Sequence, residues 1–138
     1  MAAYRLQQAG GKWSPEKVWE NTGCRLYMST PVHTGGRLIA LANVKKGQLF
    51  CIAATSGKTL WTSDGRMGDY AAMLVAGGVV LAQTDHGELL VIDPCAERFA
   101  TLARYKVSEQ ATWAHPAMVG KNILIKDQTS LALWTMEE

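Results

Sequence analysis

The chain has 138 residues, 48% of them apolar and 19% charged, so it is long enough for one ordinary domain, too short for two, and too apolar to be disordered. Fourteen basic against twelve acidic residues leave a net charge of +2, too weak to imply a nucleic-acid partner, since phosphate-backbone binding needs a concentrated basic patch. No apolar run is long enough for a transmembrane helix, and the first twelve residues lack the central apolar stretch and small-residue cleavage site of a signal peptide.

From the N-terminus onward, short apolar, β-branched and aromatic runs alternate with Gly, Asp, Asn, Pro and Ser, and no segment keeps a helical period for three turns. Tyr4 to Gln8 reads as a vestigial third strand and Glu16 to Glu20, after it, as a fourth strand. A full unit follows: Ser29 to His33, a Thr34-Gly35-Gly36 turn, Arg37 to Asn43, a Lys45-Lys46-Gly47 turn, Gln48 to Ala54, and Lys58 to Ser63. The next unit runs through Ala71 to Ala76, Val79 to Thr84, Glu88 to Asp93 and Phe99 to Lys106, and a third supplies Ala114 to Val119, Asn122 to Lys126 and Ser130 to Trp134.

These units are copies. Val18-Trp19-Glu20-Asn21-Thr22-Gly23 reappears as Leu60-Trp61-Thr62-Ser63-Asp64-Gly65, an offset of 42 residues. Pro31, Met73 and Pro116 occupy equivalent places, as do Gly35, Gly77 and Gly120. A four-strand unit repeated at this period is the signature of a radial or stacked array, in which no unit buries its apolar face alone. The fold expected is all-β: four-stranded antiparallel blades of a β-propeller, about three per chain, in one partial domain with blades at 29–64, 71–106, and 114–134 together with 16–20.

The wording of the best unit narrows this further. Gly35-Gly36-Arg37-Leu38-Ile39-Ala40-Leu41, followed by Cys51-Ile52-Ala53-Ala54-Thr55-Ser56-Gly57-Lys58-Thr59-Leu60-Trp61, resembles the pyrroloquinoline-quinone (PQQ)-like repeat of quinoprotein dehydrogenases and BamB-like propellers. That repeat reads roughly as an apolar strand, Ala-x-Asp-x-x-Thr-Gly-Lys, two residues and Trp. Ala53 stands at its Asp and Ser56 at its Thr. In the next unit Asp93 is present, but Pro94-Cys95-Ala96-Glu97 replaces the glycine turn, and Leu102 and Ala103 stand where the Trp belongs. The resemblance implies that Trp19 and Trp61 pack between blades, and it points to a periplasmic or extracellular setting.

Catalysis finds no support. The quinoprotein enzymes of the family have about eight blades, a catalytic Asp, a calcium site of Glu and Asn, and often adjacent cysteines. Here no two of Cys24, Cys51 and Cys95 are closer than 27 positions, so no quinone cofactor, redox pair or zinc knuckle is expected. His33, His86 and His115 form no metal-ligand spacing. Asp85-His86 and Lys45-Lys46 read as solvated turns. The Gly10-Gly11, Gly35-Gly36 and Gly77-Gly78 pairs lie between strands, as hairpin turns and not phosphate loops.

In a propeller the loops from fourth to first strand and from second to third strand share one face. They carry Arg25, Tyr27, Arg66, Asp69, Tyr70, Asp85, Trp113, His115 and Asp127 here, a recognition-surface composition. The function expected is therefore a non-catalytic binding or scaffold module for a protein or small ligand. The alternatives are an enzyme, small-molecule or metal site formed only at the centre of an assembled ring, and a functionless piece of a longer repeat protein. Three blades leave raw sheet edges. Either further blades belong to the propeller, or two copies close a six-bladed homodimer, with Glu16 to Glu20 completing the partner's last blade.

Overall fold

The computed structural model describes residues 1–136, and among them it contains thirteen strands and no helix. β1 (Ala2–Ala9) and β2 (Lys12–Glu20) form a two-stranded ribbon. β3 (Val32–Thr34), β4 (Arg37–Ala42), β5 (Gln48–Ala53) and β6 (Thr59–Thr62) form the first antiparallel blade in sequential order. β7 (Ala71–Ala76), β8 (Val79–Thr84), β9 (Glu88–Ile92) and β10 (Thr101–Lys106) form the second, and β11 (Ala117–Val119), β12 (Asn122–Lys126) and β13 (Leu131–Thr135) a three-stranded third.

Alternation along the strands decides which sheet each side chain meets. In β4, Ile39 and Leu41 face the second blade, while Ala40 and Ala42 face the ribbon. β5 splits likewise: Leu49 and Cys51 to one side, Phe50 and Ile52 to the other. β8 sends Val80 and Ala82 back to the first blade and Leu81 on to the third. Both faces of these strands are buried, which is why they read as unbroken apolar runs. The outermost sheet is half-covered. Ile123 and Ile125 are buried against the second blade, whereas Leu131 and Leu133 on β13 are exposed.

Two first strands are shorter than their apolar runs predict. β3 and β11 have three residues each, whereas β7 has six. Pro31 and Pro116 immediately precede the short ones, and Met73 holds the equivalent place inside β7. Proline has no amide hydrogen to give to a ladder, so pairing starts after it.

The N-terminal strand also differs from expectation. β2 pairs with β1 from Ala2↔Glu20 to Ala9↔Lys12, and within the chain it does not join β13. The ribbon instead packs on the first blade as the outer half of a preceding one. The Trp19 indole N–H donates to Ala54 O at 2.9 Å, and the Asn21 amide donates to Gly57 O at 2.7 Å. Beyond this anchorage the ribbon is exposed from Tyr4 to Val18.

Trp61 and Trp19 do the same work at successive junctions. Trp61 is buried among Ile39, Leu49, Val80 and Ile92, and Trp19 packs against the cluster around Phe50 and Ile52. At the third junction Ala103 pairs with Val91, as Trp61 pairs with Cys51, and Trp134, opposite Ile123, stands where Ile92, opposite Val80, stands one blade earlier. The large and small partners have changed sides.

Candidate functional site

The antiparallel order puts the second-to-third-strand loops and the junction loops at one end of the blades, and backbone hydrogen bonds bind them together. Asn43 N–H donates to Arg25 O, Arg66 N–H to Lys45 O, Asp85 N–H to Tyr70 O and Thr112 N–H to Asp85 O. Two contacts are too close for any side chain. A Cβ on Gly47 would lie 1.8 Å from Gly68 O, and one on Gly87 would lie 2.1 Å from Ser108 O. Each glycine adopts positive φ, 87° and 72° respectively, so the same residue supplies both the turn and the close approach.

Of the residues expected on this face, Arg66 and Asp69 line one concavity of about 430 Å³, together with Lys46, Gly68 and His86. A neighbouring one of about 410 Å³ shares Lys46 and Arg66 and adds Lys45, Asp64 and Gly65. Tyr70 and Trp113, from successive junction loops, stack with ring centroids 5.8 Å apart at 28°. Trp113 keeps nearly half its surface exposed and, with Asp127, lines a third concavity.

Asp85 is buried. Its Oδ2 accepts the Asp69 N–H at 3.2 Å, and its Oδ1 lies where a Gly68 side chain would be. Asp127 does the equivalent work one junction on: it accepts the Ser108 hydroxyl at 2.7 Å and the Thr129 and Ser130 amides at 2.8 and 2.6 Å. The Ser108 hydroxyl bond first, then the two amides, hold its carboxyl well below the usual range. Both aspartates therefore tie a turn to a junction loop. Arg25 joins the network through its carbonyl. Tyr27 is exposed and makes no side-chain hydrogen bond, and the His115 ring nitrogen meets only Pro116 O, among the described residues.

Lys46 and His86, read from the sequence as solvated turn residues, line the concavity beside Arg66 and Asp69. A signal for Lys46 was available: the loop carrying it spans five residues between β4 and β5, against three between β8 and β9. No group of three His, Cys, Asp or Glu able to hold a metal occurs among the described residues.

No family model matches the chain, and no curated protein matches it either. Solved structures do. The chain is similar to BamB from Moraxella catarrhalis at a TM-score of 0.65 and 19% identity, covering 97% of this chain and 41% of that one. It is also similar to the computationally designed Ika4 protein at a TM-score of 0.61 and 12% identity, over 78% of this chain and 64% of that one. The chain thus spans less than two thirds of either structure. At these identities the likeness shows the fold, a partial β-propeller of open, four-stranded antiparallel sheets.

Proposed function

We propose that the chain is a non-catalytic binding module of the PQQ-like propeller type, whose recognition surface is the loop face. The observation that carries this reading is the Tyr70–Trp113 stack, which joins two successive junction loops and leaves Trp113 exposed at 48%. Aromatic groups held rigidly on a scaffold are the usual anchors of protein recognition. The test is a photo-crosslinking amino acid placed at Tyr27 or Trp113, with Lys121 on the opposite hairpin end as control, in the source cells. Adducts to one defined species from the loop face alone support the reading; adducts equal from both faces, or from neither, overturn it. Turnover abolished by Asp69→Ala would replace it with an enzyme.

We further propose that two copies associate through their open sheets. β13 presents an unpaired edge, and the ribbon exposes Tyr4, Leu6 and Trp13 at 60–65%. Such a free ribbon is marginal in water, and an unpaired edge invites strand addition. Because β2 is already paired with β1, the ribbon would add to β13 as a unit, making a five-stranded sheet and not a four-stranded blade completed by β2 alone. Light scattering coupled to gel filtration should give twice the chain mass of 15.0 kDa; a monomer overturns the pairing.

A further inference from the structure

Among the described residues three non-glycine residues adopt positive φ: Lys45 at 50°, Lys46 at 61° and Arg66 at 62°. All three are basic and meet at one blade junction. The left-handed region costs an ordinary side chain about 1 kcal/mol or more, which glycine avoids. Tight packing does not demand these residues. The junction between the second and third blades has the same glycine contact, Gly87 on Ser108, with a loop two residues shorter and no left-handed cation. The extra length of the first loop coincides with Lys45-Lys46.

The charges are also unspent. Among the described residues, none of the three cationic groups has an ion-pair partner or a side-chain hydrogen bond, although Asp64 and Asp69 line the same concavities. The amides of Lys45, Lys46 and Gly47 donate to no carbonyl or side chain there either. The loop is nonetheless held. Arg66 N–H donates to Lys45 O at 3.0 Å, Met67 N–H to Gly47 O at 3.0 Å and Gly68 N–H to Lys46 O at 3.4 Å. Cations and free amides on a fixed backbone are the elements of an oxyanion site.

We propose that the Lys45–Lys46–Arg66 junction binds a small phosphate-type polyanion, with the two concavities that share Lys46 and Arg66 taking two linked phosphoryl groups. A tetrahedral phosphoryl group accepts from several directions at once, which suits two lysine point charges, an arginine fork and loop amides better than a planar carboxylate does. The inference rests on the loop face being the recognition surface and names its ligand chemistry.

The test is a titration of the whole chain with inorganic pyrophosphate at constant ionic strength, followed by amide chemical shifts. Saturable shifts are expected, centred on Lys45, Lys46, Gly47 and Arg66 and confined to them and the other residues lining the two concavities. Lys45→Gly/Lys46→Gly keeps the left-handed turn and removes the charges, so it should fold normally and bind at least about ten-fold more weakly. Shifts spread equally over Lys12 and Lys121, or undiminished affinity in the double variant, would overturn the proposal, as would tighter binding of glutarate than of pyrophosphate. Loop-face crosslinking at Trp113 that persists when pyrophosphate fails would remove this inference and leave the binding module standing.

Discussion

Phe99 meets the Trp61 indole at a centroid separation of 5.6 Å and an interplanar angle of 53°, at the position where Gly57 lies under Trp19. Both residues stand four places before the residue that begins or would begin the packing tryptophan of their own strand, Trp61 and Ala103. One junction is therefore closed by ring on ring, and the other by ring on bare backbone.

Gly57 should be intolerant of any side chain. Its φ is 69°, and an added Cβ would lie 2.4 Å from the Trp19 ring. Gly57→Ala is expected to cost about 1–3 kcal/mol and to release the ribbon first. Hydrogen exchange should quicken across β1 and β2 while the second blade keeps its protection; unchanged ribbon exchange would contradict the packing role given to Trp19.

Arg37 should act as a clasp between blades. Its Nη1 donates to Pro94 O and Ala96 O, each at 2.8 Å. These carbonyls lie in the hairpin that corresponds to the one offering Ala54 O to Trp19. Among the described residues the Trp61 indole nitrogen accordingly remains buried without a partner. Arg37→Met should destabilise by about 2–3 kcal/mol and raise exchange in the β9–β10 hairpin, measured by mass spectrometry.

The Asp127 cap gives a pH dependence of known sign. Its carboxyl is depressed in the folded chain by the Ser108 hydroxyl and then the Thr129 and Ser130 amides, so the stabilisation is present above the ordinary carboxylate pKa of about 4 and is lost as pH falls through the folded value. The difference in denaturation midpoint between the native chain and Asp127→Asn should be largest near neutrality and shrink on acidification below about pH 4. A difference constant with pH would refute the cap.

Thiol labelling should divide the cysteines. Cys24 and Cys51 are buried, Cys95 is exposed, and all three are free. Burial first of all pushes the Cys24 and Cys51 thiols up. One equivalent of a maleimide should react quickly with the native chain and the other two only on unfolding, read by intact mass.

Strand positions were legible because the apolar runs and glycine turns repeat. β7, β8 and β12 have the bounds that the sequence predicts. The shortening of β3 and β11 was legible in principle from Pro31 and Pro116, whose missing amides a periodicity argument ignores. The order of β1 and β2 was legible as a third strand before a fourth, but their full length was harder to read, because Gln7, Gln8, Lys12 and Lys17 make the ribbon polar where a buried third strand would be apolar. On the loop face, sequence order located the segments but not their partners. Nothing in Lys45, Lys46 and Arg66 as letters announces a shared left-handed backbone, because they lie in two loops that meet only in the fold.

The glycine contacts have a geometric meaning beyond the loops they join. Gly47 on Gly68 and Gly87 on Ser108 bring successive sheets together at one end with no side chain between them, while bulky aliphatic and indole groups separate the same sheets in the middle. Each pair of sheets is thus a wedge whose opening is set by the difference between those two spacings. Ring curvature follows from that wedge, so the junction glycines bear on how many blades would close a circle, together with the side chains that hold the strands apart.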